Sequence, residues 1–335
     1  MAFLCGPDAP VCIVAEIGNN HEGDFARAER MVCEAAAAGA DAVKFQTIRA
    51  ESLVNAEQAG RRRVLKGFEL SFARFEALAR LAEREGLLFL STPFDLESVR
   101  FLNDLVPMFK IASGDLTFTA LLDAVAACGK PVLLSRGASD QAEIRAAVDR
   151  IAGRWRTIGA DPGLVLMHCV ALYPTPPEAA NLAAIPALAR TFGLPAGYSD
   201  HTLGVEAAVL AAGLGARVIE KHFTLDHDLS SFRDHKLSAD PAELRELVRR
   251  VRLAERYRGS GELSPSAGEA AMRPGMRRGA CAAGDIPAGT RIIPEHIVWL
   301  RPEGEFPPGR EKALLGRTLM RPVKRGEPFR DALFA

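Results

Sequence analysis

Short apolar runs rich in Val, Ile, Leu and Phe recur from about residue 11 to 255, and segments rich in Ala, Leu and Arg at helical spacing separate them. The runs predict strands at 11–16, 41–46, 87–91, 108–112, 131–135, 164–168, 195–199 and 217–222. The spacing between them predicts helices over 24–38, 71–86, 94–104, 117–128, 140–153, 178–192, 204–214 and 241–257. Caps support two of these starts: Asp140 before QAEIRAAV, and Asp240-Pro241 before AELRELV. Strands that are apolar on both faces suit a parallel sheet covered on both sides. No Gly-rich phosphate turn of the GxGxxG kind follows the first strand, so eight strand–helix pairs favour a closed barrel over a doubly wound sheet. The expected fold class is α/β, a TIM (β/α)8 barrel over residues 1–257.

Polar residues fall where these runs end. VCIVAE stops at Glu16, DAVKFQ carries Lys44 and Gln46, LLFLST stops at Thr92, and MFKIAS carries Lys110 and Ser113. PVLLSR stops at Ser135 and Arg136, LVLMHC at His168, GYSDH at Ser199 and His201, and ARVIEKH at Lys221 and His222. A single site fed by strand ends is the plan of a TIM-barrel enzyme.

The texture changes after residue 257. Residues 258–276 are rich in Gly, Pro, Ser and Arg with little periodicity, and read as a linker. Residues 277–335 hold short strand-like pieces and turns, a small mostly-β domain. At about 60 residues such a domain is marginal alone, so it is expected to lean on a barrel, its own or a partner subunit's. The total of 335 residues suits one barrel plus this addition.

Charge and composition remove several classes of function. Lys+Arg and Asp+Glu balance at 42 each, so no net field attracts nucleic acid or an anionic membrane, and an anionic substrate has to be held by local charge. No apolar run approaches the ~20 residues needed to span a bilayer. The N-terminus MAFLCGPDAP lacks the basic and long apolar segments of a signal peptide. Cys5, Cys12, Cys33, Cys128, Cys169 and Cys281 are scattered without a CxxC, which points to a reduced, cytoplasmic chain. Cys169 sits beside a candidate site residue, but buried packing is its simpler reading.

Lys44 and Lys110 lie inside strands, where an unpaired ammonium is costly. With Thr92, Ser113, Ser135 and Ser199 at neighbouring strand ends, they suggest a site for phosphate and carboxylate. Arg136 would add a bidentate donor if it points into the barrel mouth. His201 and His222 end adjacent strands, as a pair of metal-binding imidazoles would, and such a metal could polarise an aldehyde. Glu16 could bind a substrate hydroxyl, and Asp234 in RDHKLS could accept from a polyol or move a proton. Each of these has a plainer reading alone: a lysine tip in water, a structural histidine, a solvated barrel-top carboxylate, a turn aspartate.

Seven motifs occur in order: AEIGNNHEGDFARAERMVCEAAAAGADAVKFQT, FLSTPFDLESVRFL, FKIASGD, KPVLLSRGAS, LMHCVALYPTPPE, GYSDHTLG and EKHFTLD. Together they resemble the sialic acid synthase (N-acetylneuraminate synthase) family. The tail, with GDIPAGTRIIPEHIVWLRPEGEFPPG and LLGRTLMRPVKRGEPF, resembles the antifreeze-like SAF domain of those enzymes. The resemblance spans about residues 11–335. It implies condensation of phosphoenolpyruvate with the open-chain aldehyde of an N-acylated hexose, giving a nine-carbon 2-keto-3-deoxy sugar acid and phosphate. It implies a divalent metal, manganese or magnesium, on His201 and His222. Phosphoenolpyruvate ligands fall on Lys44, Thr92, Lys110, Ser113, Ser135 and Ser199. Sugar-side residues fall on Glu16, Gln46, Asp115, Tyr173 and Asp234. The resemblance also implies a domain-exchanged homodimer in which Arg301 reaches the partner's sugar site.

The chain departs from the family pattern at several points. Ala171 stands where many members have a phosphate-holding Asn, and Arg136 stands inside the usual STGM motif, so Arg136 is expected to replace that contact. Asp115 stands in place of a common Glu, Arg233 in place of a Pro, and the loop after Gln46 is short, all on the sugar side. The acceptor is thus open between N-acetylmannosamine and a diacetamido-deoxyhexose. Two other readings stay open: a Schiff-base aldolase using Lys44 or Lys110, and a non-catalytic carbohydrate-binding protein.

Overall fold

The computed structural model describes residues 9–335; Cys5 and most of the N-terminal segment MAFLCGPDAP lie outside the described residues. Two compact units divide at Gly259 and Ser260. In the first, eight strands appear at the positions the apolar runs predict. They are β1 (Cys12–Gly18), β2 (Ala42–Thr47), β3 (Leu88–Pro93), β4 (Phe109–Ile111), β5 (Val132–Ser135), β6 (Leu164–Cys169), β7 (Ala196–Asp200) and β8 (Val218–His222). They form one sheet in the order β3-β2-β1-β8-β7-β6-β5-β4. Every hydrogen-bonded pair in it is parallel. β3 and β4, at the two ends of this order, also lie in contact, so the sheet closes into a TIM barrel.

The strands' two-residue period sorts side chains into two cores. Ile13, Val43, Phe89, Ile111, Leu134, Leu166 and Ile219 point outward and pack with the helices. Val14, Leu90, Leu133, Val165, Met167 and Val218 form a separate cluster inside the barrel. Gly197 completes that interior, because a Cβ there would come within 2.4 Å of the Met167 sulfur and 2.8 Å of the Val218 carbonyl.

The helices are α1 (Phe25–Ala38), α2 (Ala50–Leu53), α3 (Ala59–Phe68), α4 (Phe72–Arg84), α5 (Leu96–Asn103), α6 (Thr119–Ala127), α7 (Gln141–Ile158), α8 (Ala184–Phe192), α9 (Glu206–Gly213), α10 (Asp234–Leu237), α11 (Pro241–Arg258) and α12 (Ala267–Met276). Asp140 and Asp240 each form a complete capping box, with Glu143 and Glu243. α8 starts later than its periodicity suggests, because Pro176-Pro177 open only a short 3-10 turn and Asn181 takes a positive φ of 45°. α2 and α3 were not legible in the sequence. AGRRRVLKGF has no residue buried in the core, so it lacks the stripe by which an outer helix is recognised. None of the described helices is long and apolar enough to cross a membrane.

The second unit corrects one expectation. The stretch 258–276 is not irregular throughout, since α12 forms within it behind a Ser266–Glu269 capping box and tolerates Pro274. Antiparallel β9 (Gly279–Ala282) and β10 (Ile297–Leu300) follow. Ala282, Ile286, Leu314, Val323, Phe329 and Phe334 are among the side chains of a hydrophobic core within this unit.

Candidate active site

The C-terminal ends of the strands open into a cavity of about 870 Å³. Inward parity brings Glu16, Lys44, Gln46, Thr92, Lys110, Ser135, Ser199, His201 and His222 to it, and loops add Ser113, Asp115, Tyr173 and Asp234. Of the strand-end residues singled out in the sequence, Arg136, His168 and Lys221 are missing from this group.

The floor is a buried charge network. Lys44 Nζ lies 2.7 Å from Glu16 Oε2 and donates to Thr92 Oγ1 at 3.0 Å. Glu220, which is not among the residues singled out in the sequence, completes it. Its Oε1 accepts from Ser199 Oγ at 2.8 Å and lies 3.5 Å from Lys110 Nζ, while Oε2 lies 3.9 Å from Lys44 Nζ. Two ammoniums thus face two carboxylates, which is how buried charge becomes tolerable. Gln46 Nε2 donates to Glu16 Oε1 at 3.1 Å, and Asn19 Nδ2 donates to Gln46 Oε1 at 2.8 Å. Burial pushes the Glu16 carboxyl up to about 7 even against Lys44. Burial works to lower Lys44, but Glu16 and Glu220 hold it above its ordinary range, so it carries its proton at neutral pH. Ser135 Oγ is buried without a hydrogen-bond partner, a donor aimed at the cavity.

His201 and His222 stand beside this floor with ring centroids 5.3 Å apart. His201 Nδ1 is 2.8 Å from the Val170 carbonyl oxygen. A carbonyl only accepts, so that nitrogen carries a proton and Nε2 is the atom left to face a ligand. Burial works to lower the ring's pKa, but Cys169 and the Val170 carbonyl hold it above its ordinary value. Burial first, then the neighbouring His201 and Lys44 charges, hold His222 well below its ordinary pKa, as the neutral imidazole. Two adjacent imidazoles fit a divalent transition metal, which binds such rings in their neutral form. Tyr173 lies against His201 with centroids 4.0 Å apart.

The rim comes from loops. Asp115 sits in the 3-10 turn after β4, with one buried carboxylate oxygen unpartnered, and burial pushes it up to about 6. Burial also raises Asp234, opposed by Arg233, whose Nε donates to it at 3.2 Å. The Arg233 guanidinium lies 4.9 Å over the Tyr173 ring. α3 contributes Arg61, Val64 and Leu65, the side chains that its sequence left without an evident partner.

Strand parity explains what does not arrive. Arg136 follows inward-facing Ser135 and turns out of the cavity, contrary to its expected phosphate contact. Its Nη2 donates to His168 Nδ1 at 2.6 Å. His168 in turn points outward, with Nε2 2.8 Å from the Ala180 carbonyl. Lys221, between inward Glu220 and His222, likewise points outward to Asp200 at 3.0 Å. The same alternation, applied to VIEKH, would have singled out Glu220 with His222. Arg301 lies in the second unit, exposed, just after β10.

The chain is 40% identical over 321 residues to the N,N'-diacetyllegionaminic acid synthase of Legionella pneumophila, covering 92% of this chain and 90% of that one. It is 32% identical over 344 residues to the human N-acetylneuraminate-9-phosphate synthase, covering 98% and 94%. Among solved structures, an N-acetylneuraminic acid (sialic acid) synthetase from Leptospira borgpetersenii superposes with a TM-score of 0.74 at 38% identity, over 78% of this chain and 90% of that one. The NeuB family profile matches residues 31–263 and the SAF domain profile residues 277–335. The chain therefore belongs to the NeuB family and ends in a SAF domain.

Proposed function

We propose that this protein condenses phosphoenolpyruvate with an N-acylated hexose, forming a nine-carbon 2-keto-3-deoxy sugar acid and phosphate. The observation that carries this reading is the paired-lysine floor beside two adjacent imidazoles, in one cavity of a NeuB-family barrel. Lys44, Lys110, Ser113, Ser135, Ser199 and Thr92 hold the carboxylate and phosphate of the enol reactant. Asp115, Tyr173 and Asp234 face the sugar, and Gln46 steadies Glu16. His201 and His222 would hold a manganese or magnesium ion, which when bound polarises the aldehyde oxygen.

The enol carbon C3 attacks the aldehyde carbon, and a carbon–carbon bond forms as the aldehyde oxygen takes up a proton. Glu16, titrating near neutrality, is the group suited to supply that proton. Water then adds to the cationic C2 and gives one proton back to the Glu16 carboxylate. The C2 hydroxyl so formed passes its proton to the departing phosphate as the C2–O bond to phosphate breaks and the keto group forms. Lys44 stays protonated beside the developing negative charge, and Lys110 lies across Glu220 from it. The carboxylates that keep Lys44 charged also disfavour it as an amine nucleophile, which weighs against a Schiff-base aldolase. In the same reading Arg301 contacts the sugar bound by a partner subunit.

The test is phosphate release from phosphoenolpyruvate with manganese and a panel of N-acylated hexoses, including N-acetylmannosamine and 2,4-diacetamido-2,4,6-trideoxymannose. Release that needs both a sugar and a metal supports the reading. A lysine adduct trapped by borohydride with a keto acid, and no phosphate release with any sugar, would replace it.

A further inference from the structure

The loop between β8 and α10 delivers Phe232, Arg233 and Asp234 to the cavity, yet it runs without regular structure from Asp226 to Arg233. Its fastenings come from the loop between β1 and α1, more than two hundred residues earlier in the chain. Glu22 Oε1 accepts from Ser230 Oγ at 2.6 Å and from His235 Nε2 at 2.9 Å. Asn20 Nδ2 donates to the Phe223 carbonyl at 2.8 Å and to Ser238 Oγ at 2.9 Å. Ser238 Oγ donates in turn to the Asp234 carbonyl at 2.6 Å. His235, next to Asp234, is fully buried, and its other ring nitrogen is hydrogen-bonded to Thr224 Oγ1 at 2.7 Å. Glu22 meets these partners from a positive φ of 49°, a conformation that costs a non-glycine residue and persists where its surroundings hold it. A carboxylate bridging a serine and a histidine across two loops fixes the second loop at both ends: Ser230 before the cavity residues, His235 after them.

We propose that Glu22 is a positioning residue: through Ser230 and His235 it sets the loop that presents Asp234 and Arg233 to the sugar acceptor, without touching the acceptor itself. This rests on the proposed function insofar as Asp234 faces the sugar. Ser230 and His235 are both donors to Glu22, so an amide oxygen can serve them in its place, while the 3.6 Å ion pair of Glu22 with Arg27 is lost.

The test uses the full chain and two variants, Glu22→Ala and Glu22→Gln, in the phosphate-release assay with N-acetylmannosamine and 2,4-diacetamido-2,4,6-trideoxymannose. Glu22→Ala is expected to raise KM for the accepted sugar about tenfold and to leave KM for phosphoenolpyruvate within about twofold, since small misplacements of a substrate-orienting group cost factors of this size. Glu22→Gln is expected to recover most of the loss. Equal rises in both KM values, or none, overturn the proposal. Hydrogen–deuterium exchange provides a readout independent of turnover. Faster exchange over residues 226–238 in Glu22→Ala, with the strands of the barrel unchanged, supports the fastening, and unchanged exchange there overturns it. If the wild-type chain releases no phosphate with any sugar, the proposed function fails, and exchange alone decides the role of Glu22.

Discussion

The floor and the rim of the cavity are built on different principles. Glu16, Lys44, Lys110, Ser199 and Glu220 stand on strands, each no more than 4% exposed. The pleat gives each of them one direction to point, and their charges cancel locally. Asp115, Arg233, Asp234 and the α3 side chains stand on loops and a short helix, where direction depends on remote contacts such as that of Glu22 with Ser230. Chemistry common to a family can be carried by the floor, while the choice of sugar can vary at the rim without disturbing the barrel.

The sharpest way to break this distinction is to unbalance the floor. Lys44→Ala leaves Glu16 and Glu220 as buried carboxylates with one fewer cation. It is expected to lower kcat/KM by about a thousandfold or more and to destabilise the fold by about 3–5 kcal/mol, as loss of one partner of a buried pair does. Activity is read by phosphate release and stability by urea denaturation. A stable, active variant would mean the floor does not act as one electrostatic unit.

Acid probes the layers behind floor and rim. His21, in the β1–α1 loop, and His168, on the outer face of β6, are each held down to about 4, chiefly by burial. The folded protein therefore binds fewer protons than the unfolded chain between these values and about 6.5. Stability is full above that range and falls as pH drops through it towards 4, by about 3 kcal/mol for each group. Unfolding followed from pH 7 to 4 checks this. His168→Gln should flatten part of the slope, and a profile identical to wild type would assign the acid sensitivity elsewhere.

Under the proposed function, Arg301 of a partner subunit should behave as a sugar contact. Arg301→Ala is expected to raise the sugar KM about tenfold, in line with loss of one charge-assisted hydrogen bond, while the barrel's melting temperature is unchanged. Full activity of a chain truncated after residue 257 would remove Arg301 from the site. The smallest effect is expected at Arg136. Since its guanidinium is committed to His168, Arg136→Ala should leave KM for phosphoenolpyruvate within about twofold, and a tenfold rise would restore the phosphate contact that the geometry denies.

Much of this was legible beforehand, and the reason is physical. Buried parallel strands announce themselves as apolar runs, and their terminal polar residues mark the mouth, so Lys44, Lys110, His201 and His222 could be named from position. Glu220 could have been found too, because VIEKH places Glu220 and His222 on one side of the strand and Lys221 on the other. Arg136 was misplaced for the same reason: two consecutive strand residues cannot both face the axis. α3 escaped because its apolar residues serve the cavity rather than the core, and the Glu22 fastening escaped because no local pattern joins residue 22 to residue 235.

The division of labour between floor and rim is tested most directly by measuring both KM values for Lys110→Ala and Asp234→Asn in one phosphate-release assay. Lys110→Ala should raise KM for phosphoenolpyruvate by at least about tenfold with the sugar KM little changed, and Asp234→Asn should do the reverse. Two variants that raise both constants in equal proportion would contradict the separation of an anion-holding floor from a sugar-holding rim.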